Sequence, residues 1–467
     1  MTDPAARQRR ARAASFDRAR LQELIARERT EYRARHPRSA AAYEAAGDAS
    51  GHLLAGVPMT WMRMWPGGFP LYLASAAGAR LSDIDGNEFL DFCLGDTGAM
   101  AGHSPDPVRA AVARRYGEQG GATTMLPTED AAWVAGELTR RFGAAYWSFT
   151  LTATDANRWA IRFARQLTRR PKVLVYSYCY HGSVDEAFIV ATPDGPLSRE
   201  GNVGAPVDPR ETTRVVEFND AAALERELAH GDVAAVLMEP ALTNIGIVLP
   251  EAGYLDAVRA LTRRHGTLLI NDETHCFSAG PGGCTQAWGL TPDVVTIGKS
   301  VAGGIPAGAY GLSAELADRI LADPSADIVD TGGVGGTLAG NALSVAAMRA
   351  TLEQVLTDAA FEQMIAVADR YTAGVRDVLA SRGLPWTITQ LGARAEYRFC
   401  PAPPRTGGES AAVADPELDE YLHLYLVNRG ILLTPFHNMA LMCPATTAAD
   451  ADEHVRVFAD AAGELAG

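Results

Sequence analysis

Leu268-Leu269-Ile270-Asn271-Asp272-Glu273-Thr274-His275 is an apolar run that ends in two carboxylates, and Val294-Val295-Thr296-Ile297-Gly298-Lys299-Ser300 is a second apolar run that delivers a lysine. Short continuous apolar runs of this kind read as buried parallel strands. In open α/β sheets the C-terminal tips of such strands face the crevice where ligands bind. Neighbouring tips that present a carboxylate and an amine suit a pyridine aldehyde. The amine holds the aldehyde, and the acid keeps the ring nitrogen protonated so that the ring accepts a carbanion's electrons. Asp272-Glu273 alone reads equally well as a strand-end pair facing solvent, and it is Lys299 that turns the reading toward chemistry.

Of the 42 basic residues only two, Lys172 and Lys299, are lysines. An amine, unlike a guanidinium, deprotonates near neutral pH and condenses with an aldehyde. Lys172 follows Arg169-Arg170-Pro171 at the start of an apolar strand, an ordinary surface place, so Lys299 is the candidate.

Working outward, strands are predicted at 172–176, 234–238, 267–271, 294–297 and 309–312, alternating with amphipathic helices from about residue 150. The helix over 252–265 places Leu255, Val258 and Leu261 on one face and stops at Gly266, as helices that end in a left-handed glycine do. Upstream, a helix over 16–46 is interrupted near Pro37, and 57–70 is an irregular aromatic loop. Short strands follow near 71–74, 80–84 and 89–93, with Asp85-Gly86 as a hairpin signal. Downstream come helices over 342–356 and 358–382, strands near 395–399 and 431–434, a surface loop at 401–408 and a helix at 448–464. The fold class is α/β, a large mostly parallel sheet domain plus a smaller α+β domain. The expected division is 1–90, N-terminal helix and strands belonging to the small domain, 91–340, the large domain, and 341–467, the C-terminal α+β part.

A length of 467 residues, 47% apolar and 21% charged, is that of a globular protein with a sizeable core. A net charge of −14 argues against nucleic acid and anionic membranes as partners, and no apolar run is long enough to span a bilayer. The Arg-rich opening, Arg7 to Arg20, resembles a transit peptide in composition, but it lacks an apolar core and leads into helical spacing at Leu21, Leu24 and Ile25. Six scattered cysteines without a C-x-x-C pair imply reduced thiols, no zinc site and a cytoplasmic location.

On Asp272-Glu273, Gly298-Lys299, Tyr180-His181-Gly182 and Gly336-Thr337 followed by Gly340-Asn341, the chain resembles the class III aminotransferases. These are fold-type I pyridoxal-phosphate enzymes, and the resemblance, over about 55–460, is to the branch with glutamate-1-semialdehyde aminomutase and β-amino-acid aminotransferases. It implies that Lys299 carries pyridoxal 5′-phosphate as a Schiff base and Asp272 meets the ring nitrogen. Tyr180 would stack on one ring face and Thr274, where valine is usual, would pack on the other. Thr152-Ala153-Thr154-Asp155-Ala156-Asn157 stands in place of Ser-Gly-Thr-Glu-Ala-Asn, the turn whose N–H groups and hydroxyls bind the phosphate. Ala153 and Asp155 depart from that pattern. Thr337 resembles the residue that reaches the partner's phosphate in a homodimer.

The resemblance also implies catalysis by Lys299, Asp272 and Glu239, the last in Met238-Glu239-Pro240 near the substrate. His275 reads more readily as structural than catalytic. Substrate contacts fall on Arg63, a carboxylate grip or a surface arginine with equal weight, and on Trp61, Trp65, Phe436 and His437, an apolar pocket or ordinary core. The expected activity is ping-pong transfer of an amino group from an amine or β-amino acid to a keto acid or ketone. The alternative is an isomerase, an aminomutase or a racemase, using the same lysine. No G-x-G-x-x-G follows an early strand, which disfavours a nicotinamide dehydrogenase.

Overall fold

The computed structural model describes residues 16–47, 51–322 and 333–466, which form two compact units. One comprises residues up to 104, 363–403 and 412–467; the other comprises 105–362 and 404–411. Segment 91–104 thus packs with the smaller unit. The helix Ala342–Gln354 packs with the larger, against the helices Asp106–Ala113 and Glu129–Phe142. Its small residues Ala342, Ala346, Ala347 and Ala350 are all buried there.

In the smaller unit the helix Arg18–Arg35 is capped by Asp17, whose carboxylate accepts from the N–H groups of Ala19 and Arg20. It buries Leu21, Leu24, Ile25 and Tyr32, and Pro37 opens the next helix, Pro37–Gly47, after a break at His36. Strands β1 (Leu73–Ala77), β2 (Arg80–Asp83) and β3 (Glu88–Asp91) follow as an antiparallel meander turned by Asp85-Gly86, with Gly86 at φ +90°.

The larger unit holds β4 (Tyr146–Thr150), β5 (Lys172–Tyr176), the short hairpin β6 (Ile189–Val190) and β7 (Leu197–Ser198), then β8 (Thr213–Val216), β9 (Val233–Met238), β10 (Leu268–Asp272), β11 (Val294–Ile297) and β12 (Gly308–Leu312). Seven of these make one sheet in the order β4-β12-β11-β10-β9-β5-β8, parallel except for β12, which is antiparallel to both neighbours. Every residue of β9 and β10 is buried, as their continuous apolar sequence requires. Each fully buried valine or leucine here contributes roughly 1.5–3 kcal/mol. The helix Tyr254–His265 ends at Gly266 in the left-handed region, φ +60°. Residues 407–412, partly expected as surface loop, form a helix whose Gly407 lies so close to β5 that a Cβ there would sit 2.2 Å from the Ser177 carbonyl oxygen.

The chain returns to the smaller unit with β13 (Thr387–Leu391), β14 (Arg394–Arg398), β15 (Ile431–Leu432) and β16 (Met439–Leu441). Strand β15 extends the first meander alongside β3, and β13-β14-β16 form an antiparallel sheet. The Arg-rich residues before 16 lie outside the described residues. All six cysteines are buried and free, and among the described residues no helix is long and apolar enough to cross a membrane.

Candidate active site

Strands β10 and β11 pair in parallel with Asp272 opposite Thr296, so Asp272 and the Lys299 turn emerge at the same sheet edge. Asn157, on the helix Ala153–Thr168, ties the two tips together. Its Nδ2 donates to Asp272 Oδ2 at 2.8 Å, and its Oδ1 accepts from Thr296 Oγ1 at 2.6 Å. His181 Nδ1 lies 2.9 Å from the same Asp272 oxygen, and the Thr274 N–H donates to Oδ1 at 3.0 Å. Burial opposes charge on both partners. Even so, Cys179 and the bond to Asp272 hold the His181 imidazolium well above the usual range, and His181, Thr274 and Asn157 hold the Asp272 carboxyl below its own. The aspartate is therefore ionised, and Oδ1 has a lone pair left over. That is the acceptor a protonated ring nitrogen needs, so the donor set fits a pyridine cofactor.

The backbone around Lys299 is built for close approach. Gly298 sits so near the start of the helix Ala153–Thr168 that a Cβ would meet the Ala153 nitrogen at 2.8 Å, and Lys299 itself occupies the left-handed region at φ +51°. Gly182, at φ +80°, leaves room for Thr154, whose Oγ1 a Cβ would meet at 2.0 Å. Thr152 caps that helix, accepting from the Asp155 N–H at 3.1 Å, and Thr154 Oγ1 accepts from the Ser183 N–H at 3.2 Å. A sixteen-residue helix that opens beside the lysine turn, with two hydroxyls and the N–H groups of its first turn, is a ready anion cradle, and Ala153 leaves those N–H groups in place. Tyr180 precedes His181 on the loop after β5, half-buried, its ring 6.3 Å from that of Phe188.

The paired carboxylates of the sequence do not share partners. Successive strand residues point to opposite faces, and Glu273 turns into the protein, where it accepts from Thr285 N and Oγ1 and from Cys284 N at the start of the helix Gly283–Ala287. Burial pushes its carboxyl up to about 7. His275 touches the lysine: its Nε2 lies 2.5 Å from Lys299 Nζ and its Nδ1 2.8 Å from Thr243 Oγ1, which in turn donates to Glu239 Oε2. Thr243 escaped the sequence reading, and Asn157 entered it only as the end of the 152–157 turn; Asn157 stands far along the chain from Asp272, and Thr243 from His275, and no local spacing reports such a contact. Lys172 Nζ is tied to the Arg210 carbonyl oxygen at 3.0 Å and lies 3.7 Å from Asp232.

Thr337 is exposed in the larger unit. Arg63, Trp61, Trp65, Phe436 and His437 belong to the smaller one. There Trp61 and Phe436 meet edge to face at 5.9 Å, His437 Nδ1 lies 3.4 Å from Glu396 Oε1, Arg63 is exposed and Trp65 half-buried.

A mostly parallel sheet with a lysine and an ionised aspartate on adjacent strand tips defines a fold-type I pyridoxal-phosphate enzyme. The family model Aminotransferase class-III matches residues 64–461, and the chain belongs to that family, whose cofactor is pyridoxal 5′-phosphate. The chain is 33% identical to glutamate-1-semialdehyde 2,1-aminomutase 2 of Brevibacillus brevis, over 79% of this chain and 85% of that protein. It is also similar to a solved glutamate-1-semialdehyde-aminomutase from Pseudomonas aeruginosa, with 49% identity, a TM-score of 0.93 and coverage of 96% and 99%. An omega-transaminase structure from Sphaerobacter thermophilus is 28% identical, with a TM-score of 0.82 and coverage of 92% and 98%.

Proposed function

We propose that this enzyme is an isomerase of the aminomutase type, which moves an amino group between neighbouring carbons of one small amino-carbonyl substrate. The observation that carries the reading is the similarity, over nearly the whole chain, to proteins named glutamate-1-semialdehyde aminomutase. Lys299 would hold the cofactor aldehyde, Asp272 the ring nitrogen, and Tyr180 and Thr274 the two ring faces. Thr152, Ala153 and Thr154 would hold the phosphate, with Glu239 beside the substrate. Bound there, the cofactor supplies an electron sink for a carbanion. Lys299 Nζ, released when the substrate amine takes its place, would carry the proton to and from the substrate carbon.

The same lysine and aspartate serve an intermolecular transaminase, and the likeness to the Sphaerobacter enzyme supports that second reading. Glutamate 1-semialdehyde given to the holoenzyme without an amino acceptor separates the two. Sustained conversion to the 5-amino-4-oxo isomer supports the isomerase, whereas a halt at one equivalent, relieved by pyruvate or 2-oxoglutarate, overturns it in favour of transamination. The cofactor's link to Lys299 is tested by borohydride, which should add the cofactor's mass at Lys299 and erase the near-visible band.

The proposal includes a cytoplasmic homodimer in which Thr337 serves the partner's phosphate. Mixing inactive Thr337→Ala and Lys299→Ala chains should then restore part of the activity, and mixtures as dead as their components would refute that arrangement.

A further inference from the structure

Lys299 Nζ does not stand alone at the sheet edge. Its contact with His275 begins a chain that runs through Thr243 to Glu239 at the tip of β9, and Thr243, His275 and Glu239 are all buried. Proton counting sets the direction of each bond. A threonine hydroxyl has one proton, and Thr243 donates it to Glu239 Oε2. Thr243 Oγ1 must then accept from His275 Nδ1–H, which leaves the lone pair of Nε2 facing Lys299 Nζ.

We propose that His275 is the proton acceptor for Lys299, held in its Nδ1–H form by Thr243 and Glu239 as positioning residues. The step breaks an N–H bond of the Lys299 ammonium. Its electron pair stays on Nζ as the free amine, and the proton bonds to His275 Nε2. The resulting imidazolium keeps its Nδ1–H on Thr243, and the Glu239 charge stabilises it through that hydroxyl. This rests on Lys299 being the reactive amine of the proposed function, and it gives His275 a task in either the isomerase or the transaminase reading.

The other titratable groups around His275 do not compete. Asp272 is engaged by His181, Asn157 and Thr274, and Glu273 by Thr285 and Cys284. Burial drives the Cys276 and Cys284 thiols upward, so both stay neutral. Lys299 directly, and Glu239 through Thr243, are joined to the ring by hydrogen bonds.

The test compares His275→Gln, Thr243→Val and Thr243→Ser with the wild type in holoenzyme form. The near-visible absorbance of the bound cofactor is titrated with pH in the absence of substrate. An acceptor backed by a carboxylate favours the protonated nitrogen, so losing it should lower the midpoint by about one pH unit in His275→Gln and Thr243→Val. Thr243→Ser keeps the hydroxyl and should keep the wild-type midpoint. In turnover, kcat should fall about 100-fold in His275→Gln with KM little changed, and the acid limb of the rate profile should move.

Unmoved midpoints in both disruptive variants would overturn the relay while leaving the cofactor reading intact. A wild type without the band would instead sink the cofactor reading. Acetic anhydride labelling of Lys299 in cofactor-free protein, with Lys172 as internal reference, then decides the relay: a labelling rate changed in both disruptive variants and kept in Thr243→Ser supports it, and unchanged rates in all three overturn it.

Discussion

His181 Nδ1 and Asp272 Oδ2 form a buried ion pair at 2.9 Å, the imidazole raised and the carboxyl lowered from their ordinary values. A base raised in the fold contributes stability that is complete below its unfolded value, about 6.5, and that fades as pH climbs through the folded value. An acid depressed in the fold contributes stability that is complete above its unfolded value, about 3.9, and that is lost as pH falls through the folded one. His181→Asn should therefore lower Tm most between about pH 4 and 6.5, with the gap to wild type narrowing in alkaline buffer. Calorimetry across that range checks this, and a gap independent of pH would show that the pair carries no charge.

Glu273 titrates the opposite way from Asp272. Burial raises its carboxyl to about 7 despite the donors at Thr285 and Cys284. The folded state then holds a proton that the unfolded chain has lost, so stability declines as pH rises from about 4.3 toward 7. Glu273→Gln cannot titrate. Its unfolding free energy in urea should vary less with pH than that of the wild type across this interval, whatever the absolute cost of the change.

Gly298→Ala would set a methyl 2.8 Å from the Ala153 nitrogen and 2.9 Å from its Cβ, where backbone and not a pliant side chain must yield. A loss of about 1–3 kcal/mol is expected, with weaker retention of cofactor on dialysis as the lysine turn and the helix start are pushed apart. Gly136→Ala, in the middle of the helix Glu129–Phe142 with nothing within 4 Å of the new methyl, should instead stabilise by up to about 1 kcal/mol. Equal effects of the two would mean that crowding at Gly298 has no consequence.

Arg63 is exposed in the smaller unit and has the geometry to grip a carboxylate at two points. If it does so for the substrate, Arg63→Ala should raise KM about tenfold for acids, leave kcat nearly unchanged, and leave substrates without a carboxylate unaffected. Steady-state kinetics on a matched acid and amide decide it.

The parts of the site carried by strand tips could be read in advance, because a buried parallel strand announces itself as an apolar run and its last residues have one place to go. Asp272 and Lys299 belong to that class. Strand β4, Tyr-Trp-Ser-Phe-Thr, alternates in burial and shows no apolar run, and β8 follows directly on a short helix, so neither was expected. The His275-Thr243-Glu239 chain was out of reach for another reason. It joins the loops after β9 and β10 to the lysine turn, and only the stacking of strands brings those together. Local polarity likewise could not tell that Asp272 turns to Asn157 and His181 while Glu273 turns to Thr285 and Cys284.

The tethering of Lys172 has a practical side. With its ammonium on the Arg210 carbonyl and close to Asp232, and every other basic residue except Lys299 an arginine, the described side chains offer aldehydes almost no nucleophile that competes with Lys299. Glutaraldehyde resins and succinimidyl dyes should accordingly mark this enzyme poorly until it unfolds, and a worker wishing to immobilise it would do better to install a lysine on an outer helix than to rely on those it has.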